Sequence, residues 1–177
     1  TFRPDDGLPV SVAAAAASTD LPVQGPGDQP GVRTSGERYG SYELWAEVGT
    51  FAPGPHVQAG FLFGDNPLQT SEGDAVDPDA VLGDRDFASA TAWQVIGAYR
   101  VPVRGTDLLS AVEPVLRVTR ADPNTGLEAD EAWGVTPGVQ LFFGGRNKVA
   151  VNWDLVSFTD DAAEGVSSLK VQFQAHF

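Results

Sequence analysis

The sequence predicts an all-β fold: a transmembrane antiparallel β-barrel with eight strands in this chain, treated as one domain over residues 1–177. Three observations carry that prediction. Apolar and polar side chains alternate with period two, and no segment shows a helical period. The connections between alternating segments are short and long by turns. The closing segment from Ser168 to Phe177 alternates without a slip and stops on a terminal phenylalanine, as outer-membrane barrels commonly do.

The strands are expected near 8–18, 38–51, 56–65, 91–103, 109–120, 132–143, 148–158 and 167–177. In the first, Leu8-Pro9-Val10-Ser11-Val12 runs into Ala13–Ala17. Its flank carries Asp5 and Asp6 instead of a basic leading region, so a strand of small residues is expected here and not a signal-peptide core. The absent initiator methionine suggests a processed or truncated N-terminus. In the fourth strand Trp93, Val95, Gly97, Tyr99, Val101 and Val103 oppose Gln94, Ile96, Ala98, Arg100 and Arg104. The fifth and sixth contain Pro114 and Pro137, each of which removes a ladder donor, so bulges or locally broken pairing are expected there. In the seventh, Val149, Val151, Trp153 and Leu155 oppose Lys148, Ala150, Asn152 and Asp154. In the last, Leu169, Val171, Phe173, Ala175 and Phe177 oppose Lys170, Gln172, Gln174 and His176.

Tight connections follow the second, fourth and sixth strands: Ala52-Pro53-Gly54-Pro55, Arg104-Gly105-Thr106-Asp107 and Gly144-Gly145-Arg146-Asn147. Longer polar connections follow the odd-numbered strands, and the stretch 66–90 alone carries Glu72, Asp74, Asp77, Asp79, Asp84 and Asp86. Short turns at one end and long loops at the other match an outer-membrane barrel. They place the C-terminus on the periplasmic side of the outer membrane of a Gram-negative-type bacterium. In that orientation Tyr42, Phe63, Trp93, Trp133 and Phe158 form an outer aromatic level, and Phe51, Tyr99, Phe143 and Phe177 an inner one. Of these, Tyr42, Trp93, Trp133, Phe143, Phe158 and Phe177 are the candidate membrane-interface aromatics.

Composition narrows the function. The net charge of −13 argues against a nucleic-acid partner and against adhesion to anionic lipid. Twenty glycines and 13 prolines suit many short elements joined by turns. There is no cysteine and hence neither a disulfide nor a thiolate metal site. No apolar run of about 18 residues encodes a membrane helix, which leaves a barrel open because its strands need only about 9–11 residues each.

From Tyr39 onward the order of segments resembles the C-terminal half of phosphate-selective porins of the O and P type. The segments are Gly40 to Gly49 (GSYELWAEVG), Val112 to Arg117 (VEPVLR), Thr136 to Phe143 (TPGVQLFF) and Asn147 to Trp153 (NKVAVNW), followed by the terminal strand. The resemblance implies a 16-stranded, usually trimeric diffusion channel, of which this chain would supply half. The alternative is a complete eight-stranded barrel with a filled interior.

The family name implies a ladder of arginines for anions. This chain has 11 lysines and arginines, and the inward candidates Arg100, Arg104, Arg117, Lys148 and Lys170 are interleaved with Glu43, Glu47, Glu113 and Asp154. A general solute pore or mild cation preference fits that field better than phosphate selectivity. Gln94, Arg100, Glu113, Arg117, Gln140, Asn152, Asp154, Lys170 and Gln172 are the expected lumen lining.

No catalytic residues are expected. His56 and His176 are the only histidines, and no nucleophile elbow, paired-histidine metal spacing or phosphate-cradling loop occurs. Asp74, Asp77 and Asp79 are weak candidates for a divalent ion, without the spacing of a dedicated calcium loop, and no cofactor is expected.

The expected function is an outer-membrane porin-type channel for passive diffusion of small polar solutes or ions. Its partners would be outer-membrane lipid, lipopolysaccharide and other copies in a homotrimer. The alternatives are a non-conducting barrel anchor and a soluble, secreted all-β binding module.

Overall fold

The computed structural model describes residues 8–20, 38–49, 53–74, 87–105, 108–144 and 147–175. The described residues form eight strands: β1 (Val10–Asp20), β2 (Arg38–Gly49), β3 (Gly54–Thr70), β4 (Phe87–Pro102), β5 (Leu109–Asp122), β6 (Ala132–Phe143), β7 (Asn147–Phe158) and β8 (Val166–Gln174). They build one antiparallel sheet in sequence order, β1 to β8. Strands pack appreciably only against their neighbours in sequence, so among the described residues no second layer covers either face. Among the described residues β1 and β8 do not pair with each other, and the sheet is open.

Strands β3 and β4 run further than the sequence predicts, to Thr70 and back to Phe87. The polar Asp65 and Asn66 read as turn signals, but they continue the ladder opposite Ser89 and Ala88. The irregularity falls later, as a register shift between Asn66 and Thr70. Gly49, Gly54, Pro102, Leu109, Phe143 and Asn147 mark strand ends at one end of the sheet, and Asp20, Arg38, Thr70, Phe87, Asp122, Ala132, Phe158 and Val166 those at the other. At the short-turn end Gly49 holds φ at +101°, and a Cβ there would run into the Pro55 carbonyl oxygen, so only glycine fits.

The two prolines behave differently from a bulge. Both keep their places in the β5–β6 register, Pro114 opposite Val139 and Pro137 opposite Leu116. Pairing lapses on the other flank of each. The β4–β5 ladder skips from Ala98–Val115 to Val101–Val112, and the β6–β7 ladder skips from Val135–Leu155 to Gly138–Asn152. Register is the same before and after each gap. A strand residue points its N–H toward one neighbour only, so a missing donor interrupts one ladder and spares the other.

The burial pattern is inverted relative to a water-soluble fold. Among the described residues the buried apolar side chains are only Ala88, Ala111 and Ala150. The buried polar ones are His56, Glu113, Asp122, Asn124, Thr136 and Asp154. Large apolar residues on the opposite face stand exposed, among them Leu44, Val95, Leu116, Val135, Trp153, Leu169, Val171 and Phe173. Between Val135 and Phe143 on β6, and at matching heights on the other strands, the positions on that face carry no charged side chain, and Arg120 stands on it one step higher, opposite Trp133.

Candidate functional site: a polar trough on the concave face

The alternation that exposes the apolar face gathers the polar residues on the other, and the sheet curls around them. His56 on β3 and Lys170 on β8 line the same hollow of about 320 Å³. On a flat sheet five strand spacings would separate them by ~24 Å.

A hydrogen-bonded chain crosses four strands on this face. Arg117 of β5 donates through Nη2 to Thr136 Oγ1 of β6 and to Asp154 Oδ1 of β7, both at 3.1 Å. Thr136 Oγ1 donates in turn to Asp154 Oδ1 at 2.7 Å. Lys170 Nζ on β8 pairs with Asp154 Oδ2. Arg117, Thr136 and Asp154 occupy one rung of the β5–β6–β7 register, although the ladder itself lapses at Thr136 and Asp154.

A second pair sits at the other lapse. Arg100 Nε donates to Glu113 Oε2 at 2.8 Å, with the guanidinium stacked 3.8 Å over the Phe142 ring. Lys148 Nζ donates to Gln140 Oε1 at 2.9 Å, and His56 Nε2 hydrogen-bonds Glu47 Oε1 at 2.9 Å. Arg100, Arg117, Lys148 and Lys170 are thus each engaged by a carboxylate or an amide oxygen. The side chains are held by charge-assisted bonds in a partly desolvated setting.

Of the residues expected to line a lumen, Glu113, Arg117, Gln140, Asn152, Asp154 and Lys170 come together around the main hollow. Arg100 joins them through Glu113. Gln94 lines a neighbouring hollow with Glu43 and Trp45, closer to the long-loop end. Gln172 shares the polar face by register, opposite Ala150, and stands exposed beside the hollow.

Sequence reasoning passed over Thr136, Gln58 and Trp45 on this face. Thr136 and Gln58 were legible as polar positions of the right phase. Trp45 was hidden because an inward tryptophan breaks the polar pattern. Its ring lies over Gly60, where any Cβ would collide with it.

At the long-loop end Tyr42 stacks on Phe63 with centroids 4.9 Å apart, and Trp93 meets Trp133 edge-on at 5.6 Å. Arg120 lies 5.8 Å over Trp133 and bonds Glu131. Tyr99, Phe143 and Phe173 take outward positions towards the short-turn end. Phe158 is a correction, because strand phase puts it on the polar side of β7 with Asp154 and Val156. Phe51, His176 and Phe177 lie outside the described residues.

The long connections are ordered where they are described. The Asn124 side chain, 1% exposed, donates to Thr70 O at 3.1 Å and Ser71 O at 3.3 Å, and accepts from Gly126 N at 3.1 Å. Asn66 Nδ2 donates to Pro123 O at 3.0 Å, so the β5–β6 connection is tied to the end of β3. The signal for Asn124 was present in Pro123-Asn124-Thr125-Gly126, a turn in which asparagine bonds its own backbone two residues on.

Asp74 is exposed at the end of the turn after β3, and Asp77 and Asp79 lie outside the described residues. Among the described residues no three His, Asp or Glu side chains converge as metal ligands.

No protein-family model, curated protein or solved structure matches this chain. The likeness to porins therefore rests on the segments quoted above.

Proposed function

We propose that this chain builds the wall of an outer-membrane β-barrel of porin type, through which small polar solutes or ions pass by diffusion. The observation that carries the reading is the inverted burial. Charged and polar side chains are sheltered on the concave face while leucine, valine and tryptophan are exposed on the convex one. Water penalises that arrangement and hydrocarbon favours it.

The height of the apolar band supports it. From Trp133 to Phe143 the strand advances about 33 Å. At a tilt of ~45° this covers ~23 Å of membrane, close to the ~25 Å apolar band of such barrels. The open edges at β1 and β8 require pairing in hydrocarbon, which either mutual closure or eight further strands would supply. Short turns then face the periplasm and the acidic long connections face outward, towards lipopolysaccharide.

The trough sets the selectivity of this pore. Arg100, Arg117, Lys148 and Lys170 are paired within the wall, so they form no free ladder of positive charge to draw phosphate. The acidic outer connections add a field that favours cations. Homotrimeric assembly belongs to the same proposal.

Membrane fractionation, heat-modifiable gel migration and planar-bilayer recording test it together. Sedimentation with the outer membrane and discrete conductance steps are expected. Recovery in the aqueous phase without detergent refutes the membrane reading, and an outer-membrane protein with no steps at any voltage is an anchor and not a channel.

A further inference from the structure

The concave face changes character between the trough and the long-loop end. Trp45 of β2, Gly60 of β3 and Gln94 of β4 share one rung, and Glu43 is the next residue of β2 on the same face. Glu43, Trp45 and Gln94 line one hollow of about 470 Å³ together with Ala13, Ala14 and Ala15 of β1. Small residues make the room. A Cβ on Gly60 would lie 2.5 Å from two carbons of the Trp45 ring and 3.6 Å from Gln94 Cγ. The glycine therefore seats the indole beside the Gln94 side chain. Across the other ladder Trp45 faces Ala13 and Glu43 faces Ala15, whose methyl groups leave the hollow open on that flank.

The polar groups here differ from those of the trough. There Glu113 holds Arg100, Asp154 holds Arg117 and Lys170, and Glu47 bonds His56. The Glu43 carboxylate, the Gln94 amide and the Trp45 indole N–H take no partner among the described residues. Between the rung of Arg117 and Asp154 and the long-loop end, the described positions of the concave face carry no lysine or arginine. A negative charge, an aromatic surface and an amide thus border one cavity that no cation of the described chain balances.

We propose that this hollow binds a small organic cation through its ammonium head. The head lies against the Trp45 ring, whose quadrupole attracts cations. Its N–H groups donate to the Glu43 carboxylate and the Gln94 carbonyl oxygen. The carbon atoms beside the nitrogen bury on the indole, a gain that a hydrated metal ion does not have. A neutral solute gains the ring but leaves Glu43 without a counter-charge. The net charge of −13 draws cations towards the face. A ligand of so few atoms binds weakly, with Kd about 1 mM. On the reading of the chain as a channel wall, which this inference deepens, the hollow stands at the outer mouth and names the solute class. Binding itself needs only this face of the sheet.

Ethanolammonium chloride is the probe. The folded full chain in detergent micelles is titrated with it while the indole N–H resonances are followed by NMR, that of Trp45 assigned by its loss in Trp45→Phe. A saturable shift of the Trp45 resonance is expected, with a midpoint of about 1 mM. Sodium chloride at equal ionic strength and glucose are expected to produce none. Glu43→Gln should weaken binding about threefold, and Glu72→Gln, on the turn after β3, should leave it unchanged. Both side chains are exposed, so neither variant threatens the fold. Trp45→Leu, read through saturation transfer to the probe, should weaken binding about tenfold. Absence of a saturable shift overturns the site, and so does an equal response to glucose. Equal weakening by Glu43→Gln and Glu72→Gln overturns it too, because a diffuse acidic field then accounts for the binding. The readout is separate from conductance. A chain that binds the probe and passes no current keeps the site and loses the channel, and one that conducts without binding loses the site alone.

Discussion

Thr136 Oγ1 donates a 2.7 Å hydrogen bond to Asp154 Oδ1 at the register position where the β6–β7 ladder lapses. The lapse is next to Pro137, which has no N–H to offer. The same relation recurs one ladder away, where Arg100 bonds Glu113 at 2.8 Å across the gap beside Pro114. At both places a side-chain bond on the polar face joins two strands whose backbones are unpaired. The joining residues Glu113, Thr136 and Asp154 are 5%, 7% and 8% exposed. The prolines thus concentrate cross-strand cohesion into the trough.

Replacing Thr136 by valine keeps the shape and removes the donor. We expect Thr136→Val to cost about 1–2 kcal/mol of folding stability, read from urea unfolding in detergent or lipid vesicles. An unchanged midpoint would show that Arg117 and Lys170 alone hold Asp154.

Asp154 anchors two cations, Arg117 and Lys170, so its charge also sets the field of the trough. Asp154→Asn frees both. In a salt gradient across a planar bilayer the reversal potential is expected to move towards anions, and Arg117→Gln to move it towards cations. Shifts of the same sign for both variants would contradict the placement of these groups along the proposed conducting path.

The two faces predict opposite tolerance to charge. Leu116→Arg, near mid-height on the convex face, is expected to cost about 2–4 kcal/mol on folding into vesicles. Gln172→Arg, on the polar face of β8, is expected to stay within about 0.5 kcal/mol. Equal costs for the two substitutions would mean that lipid does not cover the convex face.

Asn124 joins two connections through one buried amide. Asn124→Ala leaves the Thr70 and Ser71 carbonyls without their donor, and a cost of about 2–3 kcal/mol is expected. Limited proteolysis should then cut within 71–74 and 123–131 while the strands resist. Cleavage rates matching the native chain would remove the clamp from the account of the long-loop end.

Much of the architecture was legible from local chemistry. Period-two alternation placed β6 at Ala132–Phe143 with the correct boundaries and the correct faces. It also assigned Glu113, Arg117, Asp154 and Lys170 to one side. Boundaries failed where polar residues continue a strand beyond its apolar stretch, as at Asp65 and Asn66, because a side chain reports its surroundings and not the backbone ladder. Phe158 was misplaced for a related reason. Aromatic character suggests a height in the membrane, whereas the face is decided by phase, and Phe158 is out of phase with Trp153 and Leu155.

The sequence by itself determined which residues share a face and which ends carry tight turns. Both follow from the geometry of a single strand and from a few glycines and prolines. Only the tertiary structure decided which polar residues meet. Arg117 reaches Asp154 across an intervening strand, and His56 and Lys170 share one hollow from five strands apart. Those encounters depend on the register of each ladder and on the curl of the whole sheet. Both are set by the sum of many pairings between strands distant in sequence, and no local pattern encodes that sum.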